Sequence, residues 1–124
     1  MDKDFYLNIL DSIEFMDKQT DDNEKFGIYR IPTETGCIEF VKLYKDIIYK
    51  PHIHDRASAK FYFFKGSGFI IYNDQKIAYT EGTHYYVPAG VMHGFEQNDE
   101  TIFLSVQSNP IEDRATGIID IRYE

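Results

Sequence analysis

From Phe26 onward the chain is a succession of short β-forming runs, each stopped by a turn signal. This punctuation restricts the fold more than any other feature of the sequence. FGIYRI precedes Pro32, CIEFVKLY follows TETG, and KFYFF ends at KGSG. FIIY ends at NDQ before KIAY, HYYV closes on PAG, and TIFLSVQ closes on SNP. Runs of four to eight residues rich in Ile, Val, Phe and Tyr at such intervals read as an antiparallel sandwich or barrel. Ten Phe and ten Tyr suit a pleated, half-buried surface. FIIYNDQKIAY is the clearest hairpin, with Asn73 and Asp74 as turn formers. No long segment carries a helical period, so the expected class is all-β.

At 124 residues the chain is the size of one domain with one core. No repeat, low-complexity tract or linker divides it. Residues 1–25 are expected to form an N-terminal segment and residues 26–124 the barrel. Within that segment the runs YLNI and IEF fit either short strands or an amphipathic helical turn. The net charge of −8, without clustered Lys and Arg, argues against nucleic acid as a partner. No apolar stretch is long enough for a membrane helix, and MDKDFYLNIL lacks the basic and apolar regions of a signal peptide. The lone Cys37 excludes an internal disulfide framework and reads as a small core residue. A cytoplasmic location is expected.

Two segments carry the chemistry: HIHDRASAKFYFFKG, from His52 to Gly66, and EGTHYYVPAGVMHGFEQN, from Glu81 to Asn98. Residues two apart in a strand share a face, so His52 and His54 point the same way. Two imidazoles so placed can serve one metal, and the same pattern suits two surface histidines beside a turn. Pro88-Ala89-Gly90 is a tight-turn signature that reverses the chain out of HYYV and into a strand starting near His93. A histidine there is held against a neighbouring strand, as a ligand or simply as a satisfied polar group.

Together these segments resemble the cupin superfamily. Its second motif has the form G-x5-P-x-G-x2-H-x3-N, and Gly82, Pro88, Gly90 and His93 stand at those spacings, with Gln97 at the asparagine position. Its first motif has the form G-x5-H-x-H-x3,4-E-x6-G, matched by His52, His54 and Gly66. Asp46 replaces the leading glycine, and Ser58 or Ala59 stands where the glutamate belongs. The resemblance covers residues 46–98. It implies a single-domain double-stranded β-helix, or jelly-roll barrel, with His52, His54 and His93 projecting inward as metal ligands.

With the glutamate missing, the resemblance implies a carboxylate-free three-histidine site. Three neutral donors leave the full charge on the ion and two or three positions open, which favours anionic or chelating ligands. Imidazole suits Fe, Zn, Ni, Cu or Co over Mg or Ca. Alternation places Phe61 and Phe63 with Ala59 on the inner face, and Phe95 and Gln97 on the side of His93. An apolar pocket of Phe61, Phe63 and Phe95 follows, with Gln97 and Gln107 as candidate polar contacts. His84 lies outside the motif positions and reads as a partly buried histidine or a hydrogen-bond donor behind the ligands. Tyr62 and Phe64 on the outer face need covering, for which an N-terminal strand of a second subunit is a candidate, so a homodimer is expected. The functional expectation is a metal-dependent enzyme on a small organic molecule, of dioxygenase, lyase or isomerase type. The alternative is a non-catalytic small-molecule or metal-binding sensor. A sugar isomerase or epimerase ranks last, because it needs a more polar interior.

Overall fold

The computed structural model describes residues 14–19, 24–111 and 116–123, and the structural statements that follow concern these. They form strands throughout, with no helix. In chain order these are β1 (Met16–Gln19), β2 (Lys25–Pro32), β3 (Gly36–Leu43), β4 (Tyr49–Ile53), β5 (Ser58–Lys65) and β6 (Gly68–Tyr72). Then come β7 (Gln75–Tyr79), β8 (His84–Val87), β9 (His93–Gln97), β10 (Thr101–Ser108) and β11 (Arg122–Tyr123). Two antiparallel sheets result: β1-β2-β3-β10-β5-β8, and β11-β4-β9-β6-β7. This is a jelly-roll barrel, as the spacing of the runs predicts.

The turn chemistry holds where it was legible. Tyr72 pairs with Gln75 across a two-residue turn, and Asn73 takes a φ of 53°, a left-handed conformation that Asn tolerates better than most residues. The run YLNI lies outside the described residues. β1 continues the N-terminal segment and pairs with β2 of its own chain, Met16 opposite Ile28.

The main core lies between the sheets. Ala59, Phe61 and Phe63 of β5 alternate inward and meet Leu43, Phe103, Ile70, Tyr79, Val87 and Phe95. A second cluster of Phe40, Phe64 and Ile102 sits on the outer face of the six-stranded sheet, with Phe15, Tyr62 and Leu104 against it. Phe63 and Phe64 are both buried because the β5–β10 register skips one residue: Phe103 pairs with Phe63, and Ile102 with Lys65. Phe64 is the extra residue of a β-bulge and turns to the outer cluster. A second irregularity lies in β4, where Tyr49 pairs with Phe95 and His52 with His93, three residues matched against two. The offset falls at Lys50-Pro51, where proline offers no ladder donor. It turns Tyr49 inward as well as His52.

Candidate metal centre

His52 and His93 face each other directly across the β4–β9 pair. His54 follows one residue beyond the end of β4. Their ring centroids form a triangle of 4.5, 4.8 and 5.1 Å, and one ring nitrogen from each lies within 4.8 Å of the others. Among the described residues this is the one group of three potential ligands. Gly90, with a φ of 81°, donates its N–H to the His54 carbonyl at 2.8 Å. The Pro88-Ala89-Gly90 turn therefore fastens the second motif onto the first. Gly94 serves close approach: a Cβ there would stand 3.1–3.3 Å from Pro51, so glycine lets β9 lie tightly on β4 beside both histidines.

Each imidazole has its Nδ1 engaged by a backbone carbonyl: Lys50 for His52 at 3.1 Å, Val91 for His93 at 3.1 Å, and Asp120 for His54 at 2.5 Å. A carbonyl only accepts, so the hydrogen-bond network places the proton on Nδ1 in all three rings. The Nε2 lone pairs are left for a shared ligand. Burial holds all three rings in the neutral form. It pushes His52 down to about 3, aided by repulsion from His93 and His54. It pushes His93 down to about 4 against the opposing Val91 carbonyl, and lowers His54 despite the Asp120 carbonyl. Neutral, Nδ1-tied imidazoles are the state a metal requires. Donors on one ion at roughly 2.1 Å each stand at most about 4.2 Å apart, so only a small ring movement separates this arrangement from a ligating one. The donor set fits a divalent transition ion.

The histidines form one wall of a cavity of about 640 Å³. Phe61, Phe95 and Gln107 line it, while Phe63 and Gln97 do not. Phe63 is fully buried and stacks on Tyr79 at 4.2 Å. Gln97 donates its amide to the carbonyls of Tyr44 and Ile47, at 2.7 and 2.5 Å, and so ties down the turn before β4. The Tyr49 hydroxyl works on the same turn, accepting the Tyr44 N–H at 3.0 Å and donating to the Lys25 carbonyl. Burial pushes its pKa up to about 12, so it remains a donor. His84 is exposed on the outer face, edge-on to Tyr62 at 4.5 Å. It is neither partly buried nor beside the ligands, because β8 presents Tyr85 and Val87 to the interior instead.

The cavity is less apolar than alternation alone implies. Opposite the histidines stands a polar row: Glu39, buried, receives Arg30 Nε at 2.6 Å and the Gln107 amide. Gln107 also donates to Ser105 at 3.3 Å and accepts the Ile111 N–H at 3.3 Å. Glu24, also buried, accepts the Lys50 N–H at 2.7 Å. Arg30, Glu39, Ser105 and Phe61 lie in one cross-strand row from β2 to β5. That row was missed because Arg30 and Glu39 sit in β-forming runs where a charge usually marks the wet face. Where the motif glutamate would stand, Ala59 faces inward and pairs with Gln107. Ile111, Ile119, Ile121 and Tyr123 also line the cavity.

Two sheets closed over a cavity, with three imidazoles clustered on its wall, define a small β-barrel with a candidate site. The chain belongs to the cupin family: residues 45–106 match the family's cupin-domain model. No curated protein matches it. Among solved structures, KdgF from Halomonas sp. superposes with a TM-score of 0.68 at 18% identity, over 79% of this chain and 89% of that one. A putative sugar phosphate isomerase from Acidithiobacillus ferrooxidans gives 0.70 at 11% identity, over 82% and 72%. A predicted oxalate decarboxylase from Thermotoga maritima gives 0.64 at 16% identity, over 77% and 94%. At such identities the superpositions establish the fold alone.

Proposed function

We propose that the chain binds one divalent transition metal (Fe, Zn, Ni, Cu or Co) through His52, His54 and His93, and acts as an enzyme on a small organic molecule held in the cavity. The observation that carries this is a shared arrangement: three clustered imidazoles, His54 and His93 buried and His52 half-buried, each with Nδ1 against a backbone carbonyl. Histidines retained only for packing have no need to bring one ring nitrogen each to within 4.8 Å of the others while every Nδ1 faces a carbonyl. A bound ion would supply Lewis acidity toward an oxygen of the substrate. The protein's own part is the facing row. Glu39, fixed by Arg30 and Gln107, offers a hydrogen-bond acceptor to a substrate hydroxyl, and Phe61 and Phe95 enclose the carbon skeleton.

A hydroxylated molecule with a metal-chelating oxygen meets both walls. This makes lyase or isomerase chemistry on oxygen-rich compounds the preferred reading, ahead of oxygenase chemistry. The likeness to a putative sugar phosphate isomerase and a predicted oxalate decarboxylase supports such a substrate class. Elemental analysis of untagged protein purified without chelators tests the proposal. About one transition-metal ion per chain is expected, reduced to a trace in His52→Ala and His93→Ala and retained in His84→Ala. An apoprotein that takes up no transition metal on titration would sink it.

We also infer a homodimer through the outer face of the six-stranded sheet, with the 1–25 segment taking part. Tyr29, Phe40, Leu104 and Tyr62 form one cross-strand row there, and Ile31, Ile38 and Val106 another. Tyr29, Ile31 and Val106 remain exposed, an apolar surface of the kind that marks association. Light scattering at micromolar concentration should return twice the chain mass. The single free, buried thiol suits a reducing, cytoplasmic compartment.

A further inference from the structure

His52 and His93 are oriented by carbonyls two residues back in their own segments, whereas His54 is oriented from 66 residues away. The partner is Asp120, in the short segment that ends in β11. This one residue makes five hydrogen bonds to three parts of the barrel. Its carboxylate accepts the N–H groups of Asp55, Arg56 and Ala57, each at 2.8 Å, and thereby shapes the turn that follows His54. Its carbonyl accepts His54 Nδ1–H. Its own N–H donates to the Ile111 carbonyl at 2.7 Å. Around it the segment is fastened twice more. Arg122 Nε reaches both Asp55 carboxylate oxygens at 3.0 Å, and Tyr123 pairs with His52 across β4–β11, its ring 6.0 Å from the imidazole.

We propose that Asp120 is the positioning residue of His54, so that the three-histidine centre is complete only when the C-terminal segment is docked. This rests on the metal reading above and adds a coupling to it. Without the Asp120 carbonyl the His54 ring is free to rotate or to move its proton to Nε2, the atom a metal needs. Without the Asp120 carboxylate the turn at residues 55–57 loses three acceptors, and the ring loses its base. Coupling of this kind is reciprocal: an ion on His54 also holds the C-terminal segment down.

The test uses the full chain and cobalt(II), whose ligand-field absorption reports the geometry of the centre as well as its affinity. Asp120→Ala and Asp120→Asn are compared with Phe64→Ala, a variant weakened on the outer face far from the site. Both Asp120 substitutions keep the backbone carbonyl and act on the carboxylate that shapes the 55–57 turn and docks the segment carrying that carbonyl. Loss of such a supporting contact behind a ligating histidine typically lowers metal affinity by about 10–100-fold. That loss, with an altered cobalt spectrum, is expected for Asp120→Ala, a smaller loss for Asp120→Asn, and none for Phe64→Ala. Hydrogen exchange adds a reading on the unmodified protein: cobalt should slow exchange of the amides at 118–123 in wild type and not in His54→Ala. Wild type that binds no cobalt overturns the metal reading and the coupling together. Wild type that binds, with unchanged affinity in Asp120→Ala and no cobalt effect on exchange at 118–123, overturns the coupling alone.

Discussion

At the scale of single residues, two glutamines of similar appearance in the sequence have opposite tasks. Gln97 sits at the last position of the second motif, yet its amide is spent on the carbonyls of Tyr44 and Ile47. Gln107 has no motif around it and stands in the cavity wall against Glu39. Gln97→Ala leaves two carbonyls without their donor, a loss expected to cost about 1–3 kcal/mol. It should lower the urea midpoint while leaving metal stoichiometry unchanged. A comparable loss of metal would show that Gln97 acts at the centre. Phe63 and Phe61 divide in the same way. Phe63→Ala empties a fully buried site and should cost about 3–5 kcal/mol in denaturant melts, whereas Phe61 borders the cavity. The histidines were legible because a motif spaced them. Arg30, Glu39 and Glu24 were not, since nothing local distinguishes an inward charge from an outward one. Only the pairing of β2, β3 and β10 brings Arg30 and Glu39 into one row.

At the scale of elements, the runs of Ile, Val, Phe and Tyr marked most strands to within a residue or two of their ends; HYYV coincides with β8. Less visible were the places where alternation breaks. Strict period two from His52 turns Lys50 inward and Tyr49 outward, and the Lys50-Pro51 irregularity reverses this. The bulge at Phe64 likewise defeats a reading that places it simply with Tyr62. Both irregularities depend on the partner strand, so one strand's pattern cannot reveal them. β11 was invisible, being two residues long and defined only by contact with β4. The closeness of β9 to β4 gives an expected outcome at this level. In Gly94→Ala the new methyl meets the Pro51 backbone at 3.1–3.2 Å, and overpacking of this kind costs about 1–3 kcal/mol. Because the shift falls between His52 and His93, the variant should lose metal affinity as well as thermal stability. A melt lowered with metal affinity intact would show that the two strands separate without moving the rings.

For the whole molecule, the centre sets how stability depends on pH and on metal. The ordinary histidine value is 6.5; in the fold His52 lies near 3, His93 near 4, and His54 is lowered too. As pH falls from about 6.5, the unfolded chain takes up protons on these residues and the folded apoprotein does not. Acid therefore favours unfolding. Stability is flat above about pH 6.5 and falls from there toward pH 3 to 4. Two carboxylates add to the lower end. Glu100 is held low chiefly by its hydrogen bond from Lys65. Asp120 is held low because its three N–H donors outweigh the burial that would raise it. Both act only in the carboxylate range, so the limb between pH 6.5 and 5 belongs to the histidines. A saturating divalent ion adds stability by binding only the folded state, and the competing protons must displace it. Apoprotein melts should lose midpoint on going from pH 7 to pH 5. The double variant His52→Gln, His93→Gln should lose much less over the same interval, and zinc should raise the wild-type midpoint more at pH 7 than at pH 5. If apo wild type and the double variant trace the same curve, the imidazoles are not buried neutral in solution, and the geometry on which the centre depends is wrong.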